Sequence, residues 1–229
     1  ALEGTDAWVL SDEVYGPMVH DGRKAPVPWR HPKLRDRTLV AGSFGKLFHA
    51  TGWKIGWMAA PAEPTRELRK VYQYDVFSTG APFQEALARY LVTEDAQAHL
   101  RELGPIYQAK RDRLLQGLEG TAFTWQPAEG GYFQVLNVAS HLLPGESDRD
   151  LAMRWTRDHG IATIPMGAFG QVAPSVRVCF AKEDQTIDEA VAKLRAIPTT
   201  SVAAAVPSQS STSSNLSLIH ISEPTRRVR

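Results

Sequence analysis

Length, composition and charge already exclude several classes of protein. The chain has 229 residues, 43% of them hydrophobic and 22% charged, which is typical of a globular protein with a core of its own. Its 26 basic side chains balance 25 acidic ones and leave a net charge of +1, which excludes nucleic-acid binding through a broad basic face. One cysteine excludes a disulfide framework and a multi-cysteine metal site, and no apolar stretch reaches the roughly 18 residues of a membrane span. We therefore predict a cytoplasmic protein with no metal site and no nucleic-acid or membrane partner.

The two ends of the chain favour a fragment with a foreign tail. The sequence begins without an initiator Met, a few residues before the strand-like segment 7–10. Residues 199–215 are rich in Ser, Thr and Ala and nearly free of charge, a composition too poor in apolar residues for a core. Residues 216–226 resemble the translation of a sequencing-library adapter. We expect 199–229 to be disordered, non-native and without function.

The first 104 residues alternate short strands with helices, the pattern of an α/β domain. The first two strands are compact apolar runs that end in polar or Gly residues, as in a buried parallel sheet. The second helix has Pro82 in its first turn and Ala and Leu at helical spacing. The predicted elements are strands 7–10, 38–42 and 55–59 and helices 63–74 and 82–91.

A small α+β domain is predicted over residues 105–198. Gly104-Pro105 indicates a break, after which a charged helix keeps the run 110–113, including Arg111, on its solvent side. Strands and helices then mix over about ninety residues, which indicates a second, smaller core. The predicted elements are helix 106–118, strand 132–137, helix 148–159, strand 175–180 and helix 186–196.

Asp12 and Tyr15 follow the first predicted strand. In open α/β sheets ligands bind beyond the carboxyl ends of the strands, which makes Asp12 a candidate binding residue. The simpler interpretation is a cap of a turn or helix, because Ser11 and Asp12 both belong to residue types that cap well.

Lys46 is a candidate nucleophile. It lies in Ser43-Phe44-Gly45-Lys46, which is not a Walker A loop because Ala41 and Leu47 stand where that motif needs other residues. Apolar neighbours on both sides of Lys46 would lower the pKa of its amine by desolvation, the condition under which lysine attacks carbonyls. The alternative is a solvated lysine on a loop.

Arg177 stands inside an apolar strand, in Val176-Arg177-Val178-Cys179. An arginine in such a place needs an anionic partner. That partner is either a structural carboxylate or the carboxylate of a substrate, which arginine's planar fork binds in a bidentate pair. Cys179 itself is interpreted as a packed small hydrophobe.

Together these segments resemble the class I and II aminotransferases, enzymes of pyridoxal-phosphate fold type I, over about residues 1–198. The residues of these segments are most similar to those of the kynurenine and methionine aminotransferases. The order and spacing of the motifs carry the resemblance, whereas each motif alone is weak. The matching segments are 12–15 (Asp-Glu-Val-Tyr), 43–46 (Ser-Phe-Gly-Lys), 51–56 (Thr-Gly-Trp-Lys-Ile-Gly) and 176–182 (Val-Arg-Val-Cys-Phe-Ala-Lys).

The resemblance implies a role for each site residue. Lys46 would form the Schiff base with the cofactor aldehyde and then move the proton of the reaction. Asp12, buried beside the ring nitrogen, would keep that nitrogen protonated, and Tyr15 would hydrogen-bond the ring oxygen. Ser43 and Lys54 would hold the cofactor phosphate, with Lys54 standing where many relatives have arginine.

Two further residues would contact the substrate. The resemblance implies that Arg177 clamps the α-carboxylate of the amino acid and of the oxo acid alike. Phe77 aligns with a residue that reaches into the neighbouring subunit's pocket, although a core aromatic is an equal alternative. Tyr132 and Phe133 are interpreted first as strand and core residues, and His20 and His49 as surface or packing residues.

The function implied is an aminotransferase that moves an amino group from an aromatic or sulfur-containing amino acid, such as kynurenine or methionine, to a 2-oxo acid. The fold class implied is α/β, with a partial large cofactor domain, 1–104, and the small domain 105–198. The resemblance also implies a homodimer when full-length and a fragment that is inactive alone. Two alternatives remain, a pyridoxal-phosphate-dependent cysteine-S-conjugate β-lyase and a non-catalytic binding module.

Overall fold

The computed structural model describes Leu2 and residues 4–200. This part of the chain is a mixed α/β structure that divides into two compact units. Unit 1 consists of residues up to 115 together with 127–133 and 180–182, and unit 2 consists of 116–126, 134–179 and the residues from 183 onward. In the described range, no helix combines the length and the apolar character needed to cross a bilayer.

Unit 1 contains a three-stranded sheet whose strand order follows the chain. Its strands are β1 (Val9–Asp12), β2 (Thr38–Ser43) and β3 (Gly56–Ala59). β1 and β2 run parallel, as predicted, while β3 joins the other side of β2 in the antiparallel direction. The first strand is less buried than its apolar sequence indicated, because 46% of Leu10 is exposed.

Close approach between β2 and β3 requires glycine in both strands. Gly42 lies opposite Trp57, and a Cβ on Gly42 would come within 2.3 Å of the Trp57 ring. A Cβ on Gly56 would lie 2.7 Å from the Gly42 carbonyl oxygen. The Trp57 ring therefore covers β2 at a position where a side chain on Gly42 would displace the ring.

Three helices follow in unit 1: α2 (Ala62–Asp75), α3 (Ala81–Leu91) and α4 (Glu94–Leu118), which ends in unit 2. The first two confirm the predicted helices within one residue at each end. The predicted break at Gly104-Pro105 is wrong, because α4 runs through Pro105. Proline removes one backbone hydrogen bond, but Leu103 and Tyr107 are buried on either side of it, and their packing holds the helix together.

Arg111 on α4 is buried, and its predicted position on the solvent side is wrong. Its guanidinium donates to both carboxylate oxygens of Asp21 at 2.7 Å, and also to the Ala128 carbonyl at 2.7 Å and to Asp112 at 2.8 Å. The hydrogen bond from Arg111 lowers the pKa of Asp21, and the hydrogen bond to Asp21 in turn raises the pKa of Arg111. The buried charge is stable there because several acceptors surround it.

Unit 2 is built on a second sheet and two helices. The elements are β4 (Phe133–Asn137), α5 (Asp148–His159), β5 (Ile164–Pro165), β6 (Ser175–Cys179) and α6 (Asp184–Ala196), and the strand order is β4-β6-β5. The α5 helix begins with a capping box between Ser147 and Asp150 and ends at Gly160, which has a left-handed conformation. Leu136, Val176 and Trp155, all fully buried, belong to the core of this unit. The predicted elements of this region are confirmed within two residues at each end.

Two expectations for the end of the chain have different outcomes. Cys179, predicted to be packed, is exposed at the last position of β6. The predicted tail, 199–229, lies outside the described residues from 201 onward. Within the described part, Thr200 donates from its backbone to the Ser140 carbonyl at 2.9 Å and from its hydroxyl to the Leu142 carbonyl at 2.7 Å.

The buried guanidinium gives a stability prediction. Arg111→Ala should lower the free energy of unfolding by about 2–4 kcal/mol, because it leaves the half-buried Ala128 carbonyl and the Asp21 carboxylate without their donor. Arg89→Ala is the matched control, since Arg89 pairs with Glu85 on the surface and should contribute little. Urea unfolding measures both changes, and equal losses in the two variants would contradict the assignment.

Candidate active site

Asp12 and Ser43 lie at the same edge of the first sheet. Asp12 ends β1 opposite Ala41, and Ser43 ends β2 two residues further on. The Glu13 backbone donates to the Ala41 carbonyl at 2.8 Å and continues the pairing past the end of β1. Strand spacing and rise place the Cα atoms of Asp12 and Ser43 about 8 Å apart.

Lys46 lies on α1 (Phe44–Leu47), a single turn that begins directly after Ser43. So short a helix is held in place by its contacts rather than by its own hydrogen bonds. The Thr51 hydroxyl donates to the Gly45 carbonyl at 3.1 Å, and a Cβ on Gly45 would lie only 2.9 Å from the Thr51 Cα. The lysine is therefore carried by a turn that packs directly on the segment that follows it.

Lys54 returns to the same edge of the sheet. It follows a 3₁₀ turn, Thr51–Trp53, and has the left-handed values φ 55° and ψ 39°. The next residue, Ile55, accepts a hydrogen bond at 3.2 Å from the Phe44 backbone, and Gly56 pairs with Ser43. A left-handed lysine is a strained position, and such positions gather at ligand sites.

The carboxylate of Asp12 is exposed, so the burial expected for it is wrong in this chain. The strand that carries it is a half-exposed sheet edge, which leaves the side chain accessible. Its Oδ1 accepts from the Val14 backbone at 3.2 Å, as the turn-cap interpretation predicted. Within the described residues, no hydrogen bond engages Oδ2, so the cap and a ligand contact are compatible.

Tyr15 lies in an aromatic group with Tyr132 and Phe133. The rings of Tyr15 and Tyr132 meet edge to face with centroids 5.0 Å apart, and Phe133 meets Tyr15 in the same manner at 6.2 Å. The Tyr15 hydroxyl donates to the Tyr132 hydroxyl at 3.5 Å. Gly131, with φ 72°, lies against the Tyr15 ring. The sequence feature that points to this group is Gly130-Gly131 directly before Tyr132. The interpretation of Tyr132 and Phe133 as strand and core residues did not take this feature into account.

His20 holds the segment before Tyr132 in place. Its Nε2 is 3.0 Å from the Gly131 carbonyl, and its backbone donates to the Glu129 carbonyl at 3.0 Å. The ring is fully buried, which confirms a packing position. Burial, and next the positive charge of Arg111, lower the pKa of His20, so a neutral ring donates Nε2–H to Gly131.

A cavity of about 450 Å³ in unit 1 opens beside Ser43. Gly42 and Leu47 also line it, and so do three basic side chains, Arg23, Lys24 and Arg30, and one acidic side chain, Glu13. An excess of positive charge in a concave surface favours an anionic ligand.

Arg177 belongs to unit 2. The other predicted binding residues described above, Asp12, Tyr15, Ser43, Lys46 and Lys54, belong to unit 1. Arg177 occupies the middle of β6, opposite Ile164 on β5, between the buried Val176 and Val178. Its guanidinium carbon lies 5.2 Å from the centre of the Phe169 ring. An aromatic ring over one face of a guanidinium holds the plane of that group in one orientation.

Phe77 is the remaining predicted residue. Phe77 directly follows Val76, the C-cap residue of α2. Its φ is 64°, and 81% of its surface is exposed. A core position is therefore wrong for Phe77. A large exposed aromatic in a left-handed conformation is an outlier, and such outliers are typical of contact sites.

Comparisons with known proteins agree on one family. The sequence model described as aminotransferase class I and II matches residues 2–194. The chain is 36% identical over 198 residues to the methionine aminotransferase of Escherichia coli, a match that covers 85% of the chain and 50% of the relative. It is 33% identical over 210 residues to the kynurenine–oxoglutarate transaminase of Dictyostelium discoideum, with coverage of 83% and 48%.

The fold agrees as well. The crystal structure of the methionine aminotransferase of Escherichia coli superposes with a TM-score of 0.78 at 36% identity, and the match covers 84% of this chain and 50% of that one. The chain spans about half the length of the curated relatives it matches.

The contact between Gly45 and Thr51 gives a prediction for the lysine turn. Gly45→Ala should lower the free energy of unfolding by about 1–3 kcal/mol, because its Cβ would overlap backbone that cannot move away independently. Gly52→Ala is the matched control in the same segment, since a Cβ there meets nothing within 4 Å and should change stability by less than about 0.5 kcal/mol. Chemical denaturation compares the two, and a Gly45→Ala variant as stable as Gly52→Ala would contradict the close packing.

Proposed function

Because the chain belongs to the class I and II aminotransferase family, we propose that the protein is a pyridoxal-phosphate-dependent aminotransferase. Its reaction moves the amino group of an aromatic or sulfur-containing amino acid to a 2-oxo acid. The names of the relatives, a methionine aminotransferase and a kynurenine–oxoglutarate transaminase, support this donor class. The observation that carries the proposal is the parallel register of β1 and β2, which brings Asp12 to the sheet edge that bears Ser43 and Lys46.

The groups at this edge fit pyridoxal phosphate. The cofactor presents an aldehyde, a ring nitrogen, a ring oxygen and a phosphate, and the edge presents an amine for the first and a carboxylate for the second. The phenol of Tyr15, on the segment that follows β1, matches the ring oxygen. The hydroxyl of Ser43 and the amine of Lys54 match the phosphate. The cavity beside Ser43 with its basic lining supports an anion there. When bound, the cofactor supplies an electron sink for negative charge at the substrate Cα.

We assign the covalent attachment and the proton transfer to Lys46. Its Nζ would hold the cofactor at the aldehyde carbon, and as a free amine it would take up the proton that leaves the substrate Cα and hand it on. The contact of Gly45 with Thr51 keeps the short turn in one position, so Nζ returns to the same place in each half-reaction.

Asp12 and Tyr15 act on the cofactor ring. The Asp12 carboxylate would accept a charge-assisted hydrogen bond from the protonated ring nitrogen and so keep that nitrogen protonated. The Tyr15 hydroxyl donates to the ring oxygen. Ser43 and Lys54 bind the phosphate by a hydroxyl and a point charge, and the strained backbone of Lys54 supports a contact role.

Arg177 binds the α-carboxylate that amino acid and oxo acid share. The Phe169 ring over one face of its guanidinium supports bidentate binding of a carboxylate. Phe77 is assigned to the substrate pocket of a neighbouring subunit, which its high exposure supports. That assignment requires a homodimer, and a cytoplasmic location and the division into a cofactor domain and a small domain stay predictions.

A β-lyase that acts on cysteine conjugates is the alternative reaction on the same residues. It uses the same Lys46 and Asp12, so these side chains do not separate the two reactions. Release of pyruvate and ammonia without any oxo acid would favour the lyase, whereas turnover that requires an oxo acid favours the aminotransferase.

Trapping the cofactor on its lysine tests the proposal. The full-length gene product is incubated with pyridoxal phosphate, reduced with borohydride, digested and mapped by mass spectrometry. Label should be found on Lys46, and Lys46→Ala should lose both this label and at least about a thousandfold in transamination rate.

Lys54→Ala serves as the control for a lysine in the same segment. It should keep the label on Lys46 and bind the cofactor more weakly, because only the phosphate contact is removed. Label spread evenly over several lysines, or Lys46→Ala with an unchanged rate, would overturn the proposal.

A second prediction concerns the carboxylate. Arg177→Ala should lower kcat/KM about 100-fold or more, because the substrate carboxylate is left unpaired. Arg177→Lys keeps the charge without the planar fork and should recover only part of the loss. Steady-state kinetics with an amino acid and with its decarboxylated amine measure the effect, and equal losses for the two substrates would contradict the clamp.

A further inference from the structure

We propose that Tyr132 is a positioning residue that orients the hydroxyl of Tyr15 toward the cofactor. This inference rests on the proposed function, because it concerns the residue assigned there to the ring oxygen. It starts from the direct contact between the two hydroxyls, at 3.5 Å, and from the edge-to-face packing of the two rings.

The two hydroxyls form a chain with a defined direction. A phenol donates one hydrogen bond and accepts others, and without a ligand Tyr15 donates to Tyr132. With the Tyr15 hydroxyl donating its hydrogen bond to the ring oxygen of the cofactor, Tyr132 would become the donor to Tyr15. A hydrogen bond received in this way polarises the Tyr15 hydroxyl and strengthens its own donation. The 3.5 Å distance is long for such a bond and is expected to shorten when the ligand binds.

The position of Tyr132 is also fixed by packing against two other aromatic rings. The Tyr107 ring on α4, almost fully buried, lies 5.4 Å from the Tyr132 ring, and Phe133 lies 4.7 Å from it. Aromatic pairs at these distances stabilise one ring orientation. Tyr132 therefore presents its hydroxyl to Tyr15 without searching other rotamers.

The backbone before Tyr132 is held by its own set of bonds. Arg111 donates to the Ala128 carbonyl at 2.7 Å, and Gly131 donates to the Met18 carbonyl at 2.8 Å. Met18 in turn donates to the Tyr15 carbonyl at 2.8 Å. The segments that carry the two tyrosines are thus bonded to each other as well as through their rings, and neither moves without the other.

A double-mutant cycle tests this coupling. Tyr15→Phe, Tyr132→Phe and the double variant of the full-length gene product are compared in equilibrium affinity for pyridoxal phosphate. Tyr132→Phe should weaken binding about three- to tenfold, the effect of one hydrogen bond. The double variant should bind no more weakly than Tyr15→Phe, because without the Tyr15 hydroxyl the Tyr132 hydroxyl has nothing to orient.

An absorbance titration of the bound cofactor is the second readout. Tyr132→Phe should move the midpoint of the cofactor's absorbance change to higher pH, because a weaker donor to the ring oxygen stabilises its negative charge less. A merely structural loss would lower the melting temperature and leave this midpoint in place.

Tyr90→Phe is the matched control. The Tyr90 ring also meets a phenylalanine, Phe48, edge to face at 5.5 Å, so the substitution removes the same hydroxyl from a similar contact in unit 1. It should leave affinity and midpoint unchanged.

The outcomes separate the two proposals. Wild-type protein that fails to trap the cofactor on Lys46 would refute the proposed function. Wild-type protein that traps it, with losses from Tyr15→Phe and Tyr132→Phe that multiply in the double variant, would overturn this inference alone.

Discussion

The parallel hydrogen bonding between β1 and β2 is the constraint on which the candidate site depends. Because parallel neighbours end at the same edge, the residue that ends β1 and the residue that ends β2 lie together, although 30 residues separate them in sequence. A shift of one residue in this register would turn Asp12 to the other face of the sheet. The parallel direction of β1 and β2 therefore decides whether the Asp12 carboxylate and the Lys46 amine can contact one ligand.

The antiparallel pairing of β3 completes that edge. Gly42 and Gly56 let β3 approach β2 closely. Gly56, at the start of β3, pairs with Ser43, the residue directly before α1. The chain thus reaches the edge three times, with a carboxylate, with a hydroxyl and amine, and with a second amine. Such convergence from three separate segments explains why each motif is weak alone and specific in combination.

Much of this arrangement could be predicted from local sequence, and the exceptions have a common physical cause. Strand and helix positions followed from apolar periodicity, while the roles of Lys46 and Asp12 stay predictions from motif order. The burial of Arg111, by contrast, depends on Asp21, 90 residues away, which no local pattern contains. The helix through Pro105 depends on tertiary packing that overrides a strong local signal. The contact of Tyr15 with Tyr132 likewise spans 117 residues.

A crystal structure of the full-length gene product grown with pyridoxal phosphate tests the central claim most directly, through two distances. The account predicts a covalent bond from Lys46 Nζ to the cofactor and a carboxylate oxygen of Asp12 within about 2.7–2.9 Å of the ring nitrogen, the length of a charge-assisted hydrogen bond. A cofactor bound to Lys46 with Asp12 beyond about 4 Å of the ring nitrogen would contradict the convergence of the two strands on one ligand.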